Sequence, residues 1–295
     1  MLECVPNVSE GRAPDVIAEL AAAVKEAGAE LVDVHSDVDH HRSVFTFLGA
    51  GDVVERAALA LGVVAVARID LRRHAGVHPR VGAVDVVPFV PLRGSTMAAA
   101  AAARRMGAAL AAAHAVPVFF YGEAALRPAW RELPAARRGG FERLAERMRD
   151  PDRAPDAGPP APHPTAGATI VGARGPLIAF NAVLDAGDVA LARAVASAVR
   201  ETGGGLPRVR ALGLFLPSRG LAQVAMNLLD YRVTPLAVAA ARVSAEARRR
   251  GAAVREFELV GCAPAAALAS WPADLAPIAG LRPAQLLPSE LFGAC

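Results

Sequence analysis

The apolar positions of this chain switch period repeatedly, and each switch marks an element. Leu2 to Asn7 reads as a short strand. Val16, Ile17, Leu20 and Val24 recur at helical spacing and predict a helix over Pro14 to Glu26, with Gly28 as its stop. Glu30 to His35 and Arg42 to Leu48 read as strands, the second rich in β-branched and aromatic residues. A helix capped by Asp52 runs to about Ile69, and Val84 to Val90 is the next strand. A helix from about Ser95 to Ala113 and a strand from Val116 to Tyr121 extend the series.

Residues 150 to 167 are too rich in proline for helix or central strand, because proline lacks the donor a ladder needs and restricts its neighbour. The stretch is either a domain linker or an ordered loop covering a ligand. Beyond it the alternation returns. Strands are predicted at Leu177 to Leu184, Val209 to Leu216, Leu221 to Leu229 and Val254 to Val260. Helices are predicted over Asp188 to Thr202 and from a Thr234 cap to about Arg250. The order strand-helix-strand-strand-helix-strand therefore occurs twice, without a clear sequence repeat. The expected fold class is α/β, of the α+β type, with two tandem ferredoxin-like βαββαβ subdomains over 1–167 and 168–295. A ligand groove is expected between them.

Composition narrows the function classes. Of 295 residues 54% are hydrophobic and 21% charged, enough for a sizeable core in a soluble chain. No basic start leads into an apolar stretch, so no signal peptide is expected. The alanine-rich run Met97 to Ala115 is cut by Arg104 and Arg105, whereas a membrane span needs about 20 apolar residues. A cytoplasmic protein with no membrane partner is the expectation. Cys4, Cys262 and Cys295 are odd in number, far apart and without a C-x-x-C pair, which argues against a thiolate zinc site or a disulfide framework and for reduced thiols. The net charge is +3, and Lys25 is the only lysine. Coding bias toward arginine explains this, as does attraction to anionic ligands. Nucleic acid is not expected as a partner, since basic residues are scattered and aromatics make up only 5%.

Candidate chemistry gathers at three places. His74-Ala-Gly-Val-His78-Pro-Arg80 precedes the strand that carries Asp85. His74 and His78 have a helical metal-site spacing, but Gly76 and Pro79 oppose a helix there. His74, beside Arg72 and Arg73, is expected to be a solvated side chain. His78 can exchange a proton near neutrality, or can be a satisfied structural histidine. Asp33, His35, Asp37, Asp39, His40, His41 and Arg42 could hold a metal or could form a polar turn. The third place is Val5 to Arg12, where a Ser-Glu-Gly-Arg turn leads into a helix. It suits an anion, or an ordinary helix cap.

Several blocks together resemble one family. They are Glu3-Cys-Val-Pro-Asn-Val-Ser-Glu-Gly11, Arg42 to Phe47, His78 to Phe89, Val118 to Ala125, Ile178 to Asn181 and Gln223 to Asp230. In this order they closely resemble the glutamate formimidoyltransferases, the transferase part of the formimidoyltransferase-cyclodeaminases, from residue 2 to about 264. The resemblance implies a homodimer of two-subdomain chains that moves a formimino group from N-formimidoyl-L-glutamate to tetrahydrofolate in histidine breakdown. It implies tetrahydrofolate as co-substrate and small molecules as the only other partners; no metal is expected, since the substrate already carries a positive amidinium. It places the catalytic histidine at His78. Substrate binding falls on Asn7, His35, His41, Arg42, Arg80, Asp85, Asn181, Gln223 and Asn227, with Arg42 and Arg80 as candidates for carboxylates. Either arginine could instead pair with Asp33 or Asp85. The folate loop falls on Gly158, Pro159, Pro160, Ala161, Pro162, His163, Pro164, Thr165, Ala166 and Gly167. Family members commonly carry an acidic residue where His35 stands and asparagine where His41 stands. No cyclodeaminase region is expected. The alternatives are formyl transfer from 5-formyltetrahydrofolate to glutamate, a non-catalytic folate-binding protein, and a metal hydrolase using His40, His41, His74 and His78.

Overall fold

The computed structural model describes residues 1–269 and 271–292, so Cys295 lies outside the described residues. The chain divides into two compact units, Met1–Gly175 and Pro176–Cys295. Both are mixed α and β, and the elements that the apolar pattern predicts occur in the predicted order, with further short elements among them.

The first unit comprises β1 (Leu2–Cys4), β2 (Asn7–Val8), α1 (Pro14–Glu26), β3 (Glu30–Asp37), β4 (Arg42–Gly49), α2 (Gly51–Arg68), β5 (Val84–Pro91), α3 (Thr96–His114), β6 (Val118–Gly122), α4 (Leu133–Arg137), α5 (Leu144–Arg147) and β7 (Thr169–Ala173). Its sheet runs β3, β4, β1 with β2, β5, β7, β6. The first four positions pair antiparallel. Strands β5, β7 and β6 pair parallel. Side chains alternate across a strand, so Phe45, Phe47 and Phe89 meet α1, α2 and α3 on one face through Leu20, Leu61 and Leu110. The opposite face carries a second cluster, in which Phe119, Tyr121 and Ile170 pack under Trp130, Leu144 and Met148. Arg42, Val44 and Thr46 alternate with the buried phenylalanines and belong to this second face. Asn7, paired with Val44, shares it.

The second unit comprises β8 (Ile178–Leu184), α6 (Val189–Val199), β9 (Val209–Leu216), β10 (Leu221–Leu228), α7 (Leu236–Arg248), β11 (Val254–Val260), β12 (Ala263–Pro264), β13 (Ile278–Ala279) and β14 (Leu286–Leu287). Its main sheet runs β13, β11, β8, β10, β9. Phe180 and Phe257 stack at 5.2 Å beneath its helices.

Several expectations need adjustment. Asp188 and Ser95, expected only as the first residues of their helices, cap them through side-chain bonds to backbone N–H groups. Asp52 and Thr234 do not. The Asp52 carboxylate accepts from Arg56 on the helix surface. The Thr234 hydroxyl donates to the Pro207 carbonyl at 2.6 Å, and Pro235 opens the helix. The first unit was expected to end at 167, yet it continues to Gly175, because β7 pairs with both β5 and β6. The proline-rich stretch is therefore an internal, ordered segment of this unit rather than a link between the two. Among the described residues no helix is long and apolar enough to cross a membrane.

Candidate active site

The loop from His74 to Ala83 is pinned at both ends. The Val77 N–H donates to the Asp39 carbonyl at 3.0 Å, and the Ala83 N–H to the Ala166 carbonyl at 2.9 Å. Two glycines permit this approach. A Cβ on Gly76 would lie 2.3 Å from the His40 carbonyl oxygen, and one on Gly82 would lie 1.9 Å from that of Ala168. Both distances exclude any side chain, so the loop lies directly on the turn before β4 and on the strand start after the proline-rich segment.

Beneath the loop sits a buried charge cluster. Between β2 and β5 the register gains one residue, with Asn7 opposite Val86 but Val8 opposite Val84. Asp85 is the extra residue, and a bulge of this kind re-aims its side chain. Its carboxylate accepts from Arg42 at 2.8 Å, Arg137 at 2.7 Å and the Val81 N–H at 2.8 Å. Burial works against its ionisation, but Arg137 and Arg42 overcome this and hold the carboxyl below its usual range. Burial lowers Arg42 to about 10, against the pull of Asp85. Arg42 also donates its Nε–H to the Asn7 side-chain oxygen at 3.0 Å. Arg42 is thus committed to Asp85 and Asn7, the structural-pair alternative, rather than presented to a substrate carboxylate. Asn7 orients Arg42, and its amide donates to the Val5 carbonyl.

His78 lies over this cluster, and its ring centroid is 5.7 Å from that of His40. Its Nδ1 is 2.9 Å from the Pro79 carbonyl. A carbonyl only accepts, so Nδ1 carries the proton and Nε2 keeps its lone pair while the ring is neutral. Burial holds this imidazole well below its ordinary value of 6.5, and the charges of Arg42 and Arg137 push the same way. The arrangement supplies a neutral base with a fixed tautomer.

His74 is not the solvated residue its arginine neighbours suggest. Its ring stacks on His41 at 4.2 Å, and its Nε2–H donates to the His41 carbonyl at 2.8 Å. His41 in turn faces the Ala75 carbonyl through Nδ1 at 3.2 Å and Glu10 through Nε2 at 3.3 Å. These engagements leave His41, His74 and His78 poorly placed for a shared metal. Glu10 also accepts from the N–H groups of Arg12 and Ala13, so it closes the turn before α1, while the N-cap position itself, Ala13, has no side-chain cap bond.

Burial lowers His74 to about 4. The unfolded chain takes up this proton near 6.5, whereas the folded chain resists it until about 4. The unfolded state therefore binds more protons in that window, and stability falls as pH drops through it. The urea midpoint is expected to fall between pH 6.5 and 4. It is expected to fall less steeply in His74→Gln, as urea titrations at several pH values would show.

Arg80 donates to Glu142 at 2.7 Å and to the His74 carbonyl at 3.3 Å, with its charge 5.9 Å above the Phe141 ring. It therefore ties the loop to the segment before α5. Arg137, Glu142 and Glu10 all touch this site, yet sequence reasoning chose none of them as site residues. Glu10 alone lay within a motif singled out there.

The proline-rich segment borders the same loop. His163 and Gly167 exchange backbone bonds at 2.8 and 3.0 Å, and the Leu71 N–H donates to the Thr165 carbonyl at 2.8 Å. The His163 Nδ1 accepts from the Ala166 N–H at 3.0 Å. Ala166 and Gly167 are buried and form the base of this wall. Gly158, Pro160, Ala161 and Pro164 are exposed, and Pro159, Pro162, His163 and Thr165 are partly so. His35 lies in β3 opposite Val44, on the face of Asp33 and Asp37. In the second unit Asn181 and Gln223 both donate to Glu258, at 3.0 and 3.5 Å. Asn227, four residues along β10 from Gln223, shares its face.

A neutral histidine on a pinned loop over a buried carboxylate-arginine cluster suits acid-base chemistry on a polar small molecule. The family model described as the formiminotransferase domain, N-terminal subdomain, matches residues 1–174, and that described as the formiminotransferase domain matches 179–273. The chain belongs to the formiminotransferase domain family. It is 40% identical to the glutamate formimidoyltransferase of Streptococcus pyogenes serotype M1 over 91% of this chain and 90% of that protein. It is 40% identical to that of Thermoplasma acidophilum over 91% and 89%. It is also 40% identical to the formimidoyltransferase-cyclodeaminase of Rattus norvegicus over 91% of this chain and 51% of that protein. The chain thus spans about half the length of this last relative.

Proposed function

We propose that this protein is a glutamate formimidoyltransferase, moving the formimino group of N-formimidoyl-L-glutamate to tetrahydrofolate and releasing L-glutamate. The observation that carries the reading is the neutral His78 ring, whose Nδ1–H is held by Pro79 and whose Nε2 is left as the base. The folate supplies the attacking amine, which adds to the amidine carbon as the bond from that carbon to the glutamate nitrogen breaks. His78 Nε2 takes the proton the amine loses and returns it to the departing glutamate nitrogen. Such transfer by one group is typically worth about a hundred- to ten-thousand-fold in rate. Arg42 and Arg137 act through Asp85 and the local field, keeping His78 unprotonated. Arg80 is the arginine of the loop for a substrate carboxylate, since the carboxylate it meets, Glu142, is largely exposed. The segment from Gly158 to Gly167 forms a stiff wall suited to the flat pterin ring. The reading makes the protein a cytoplasmic homodimer acting on small molecules within one-carbon metabolism.

The direct test is an assay with formimidoylglutamate and tetrahydrofolate, beside the formyl donor 5-formyltetrahydrofolate with glutamate. Turnover with the formimino donor, unchanged by chelators, is the expected result. Turnover only with the formyl donor would reassign the group transferred.

A further inference from the structure

Two arginines are buried among the described residues, Arg42 and Arg147. Arg42 has the Asp85 carboxylate beside it. Arg147, only 8% exposed, has no carboxylate partner among the described residues. Its Nη1 donates to the carbonyls of Ala136 and Arg138 at 2.6 and 2.9 Å, and its charge lies 5.3 Å over the Phe119 ring. Its Nε and Nη2 are buried without hydrogen-bond partners. A buried cation with no counter-charge is costly, and this one forms part of the lining of a cavity.

That cavity, about 350 Å³, is built from the segment between α4 and β7. Arg138, Arg143, Arg147 and Arg153 line it, against the two carboxylates Glu146 and Asp150. Arg143 meets Glu146 at 3.2 Å and Arg153 meets Asp150 at 3.3 Å, both as exposed pairs. Exposed pairs of this kind hold weakly and yield to a better partner. The Arg138 guanidinium is exposed, and no side-chain partner engages it among the described residues. Guanidinium groups are matched by phosphate and carboxylate oxygens, which take two parallel bonds from one fork.

We propose that this cavity binds a compact oxyanion carrying two or more negative charges, held by Arg138, Arg143 and Arg153 above the buried charge of Arg147. Phosphate-bearing and polycarboxylate molecules share this chemistry. His78 is not among the residues that line it, and the proposal does not depend on the transfer reaction proposed above.

Calorimetric titration of the full chain with inorganic pyrophosphate, and separately with citrate, tests it at ionic strength matched with chloride. Saturable one-to-one binding of at least one of them is expected, weakened at least tenfold in Arg138→Ala/Arg153→Ala. The arm that binds more tightly names the source of the oxyanion. The variant's unfolding midpoint in chloride is expected to stay within a degree or two of the parent, because both side chains lie at the surface. Failure of both probes to bind at millimolar concentration would overturn the proposal, as would equal binding by parent and variant. Because the readout is heat of binding, a failure here leaves the formimino-transfer reading standing, and the converse also holds.

Discussion

Replacing His78 with glutamine is expected to lower kcat about a hundred- to ten-thousand-fold, the usual worth of one acid-base group. Glutamine keeps a donor for the Pro79 carbonyl and occupies a similar volume, so the loop need not move. Tetrahydrofolate affinity and the urea midpoint are therefore expected to stay within a few-fold and a few tenths molar of the parent. The pH profile adds a second reading. Burial and the adjacent arginines hold His78 well below 6.5, so kcat/KM is expected to stay flat as pH falls through that value. The acidic limb should appear only lower. Steady-state kinetics across pH, with folate binding measured separately, check both points. A His78→Gln enzyme with parental turnover would remove the base from the mechanism.

The second large effect is expected at Asp85. This carboxylate is the shared counter-charge of Arg42 and Arg137 and also accepts from the Val81 N–H. Asp85→Ala leaves two arginines facing each other in a buried place. Breaking a buried pair by removing one partner costs about 3–5 kcal/mol, and urea unfolding is the measurement. The cost belongs to the stranded charge rather than to the loss of a strong bond. Asp85→Ala combined with Arg42→Met is therefore expected to regain a substantial part of the stability lost by the single change. Strict additivity in this double-mutant cycle would mean that the two residues are not coupled. Asp85→Ala is also expected to reduce activity, because the loop carrying His78 rests on the Val81 bond.

Much of the architecture is legible in the sequence. Helix α1 and strands β9 and β11 occupy the residues that periodicity assigns to them, because their apolar faces meet a core on one side only. Strand β7 was missed. Its five residues, Thr169–Ala173, follow the proline-rich stretch at once and are buried throughout, so no alternation marks them. The site was legible in part. His78, Asn7, Arg42, Arg80, Asp85 and His41 do gather in the first unit, and the block resemblance pointed to them. Their roles were less legible, since pairing depends on distant chain. Arg137 reaches Asp85 across 52 residues, and Arg80 reaches Glu142 across 62. The segment from 126 to 153 has no clear periodicity from which such contacts could be read. His74 shows the same limit. Its sequence neighbours are charged, but its ring is stacked by a residue 33 positions earlier.

The placing of β7 bears on how this polypeptide comes off the ribosome. The last strand synthesised in the first unit fills an interior slot, between β5 and β6. Until Ala173 has emerged, those two neighbours each present an unsatisfied parallel edge, and open edges recruit other chains. Nascent protein in that interval is the species most prone to aggregation, so any fragment meant to behave as the isolated first unit has to include residue 173.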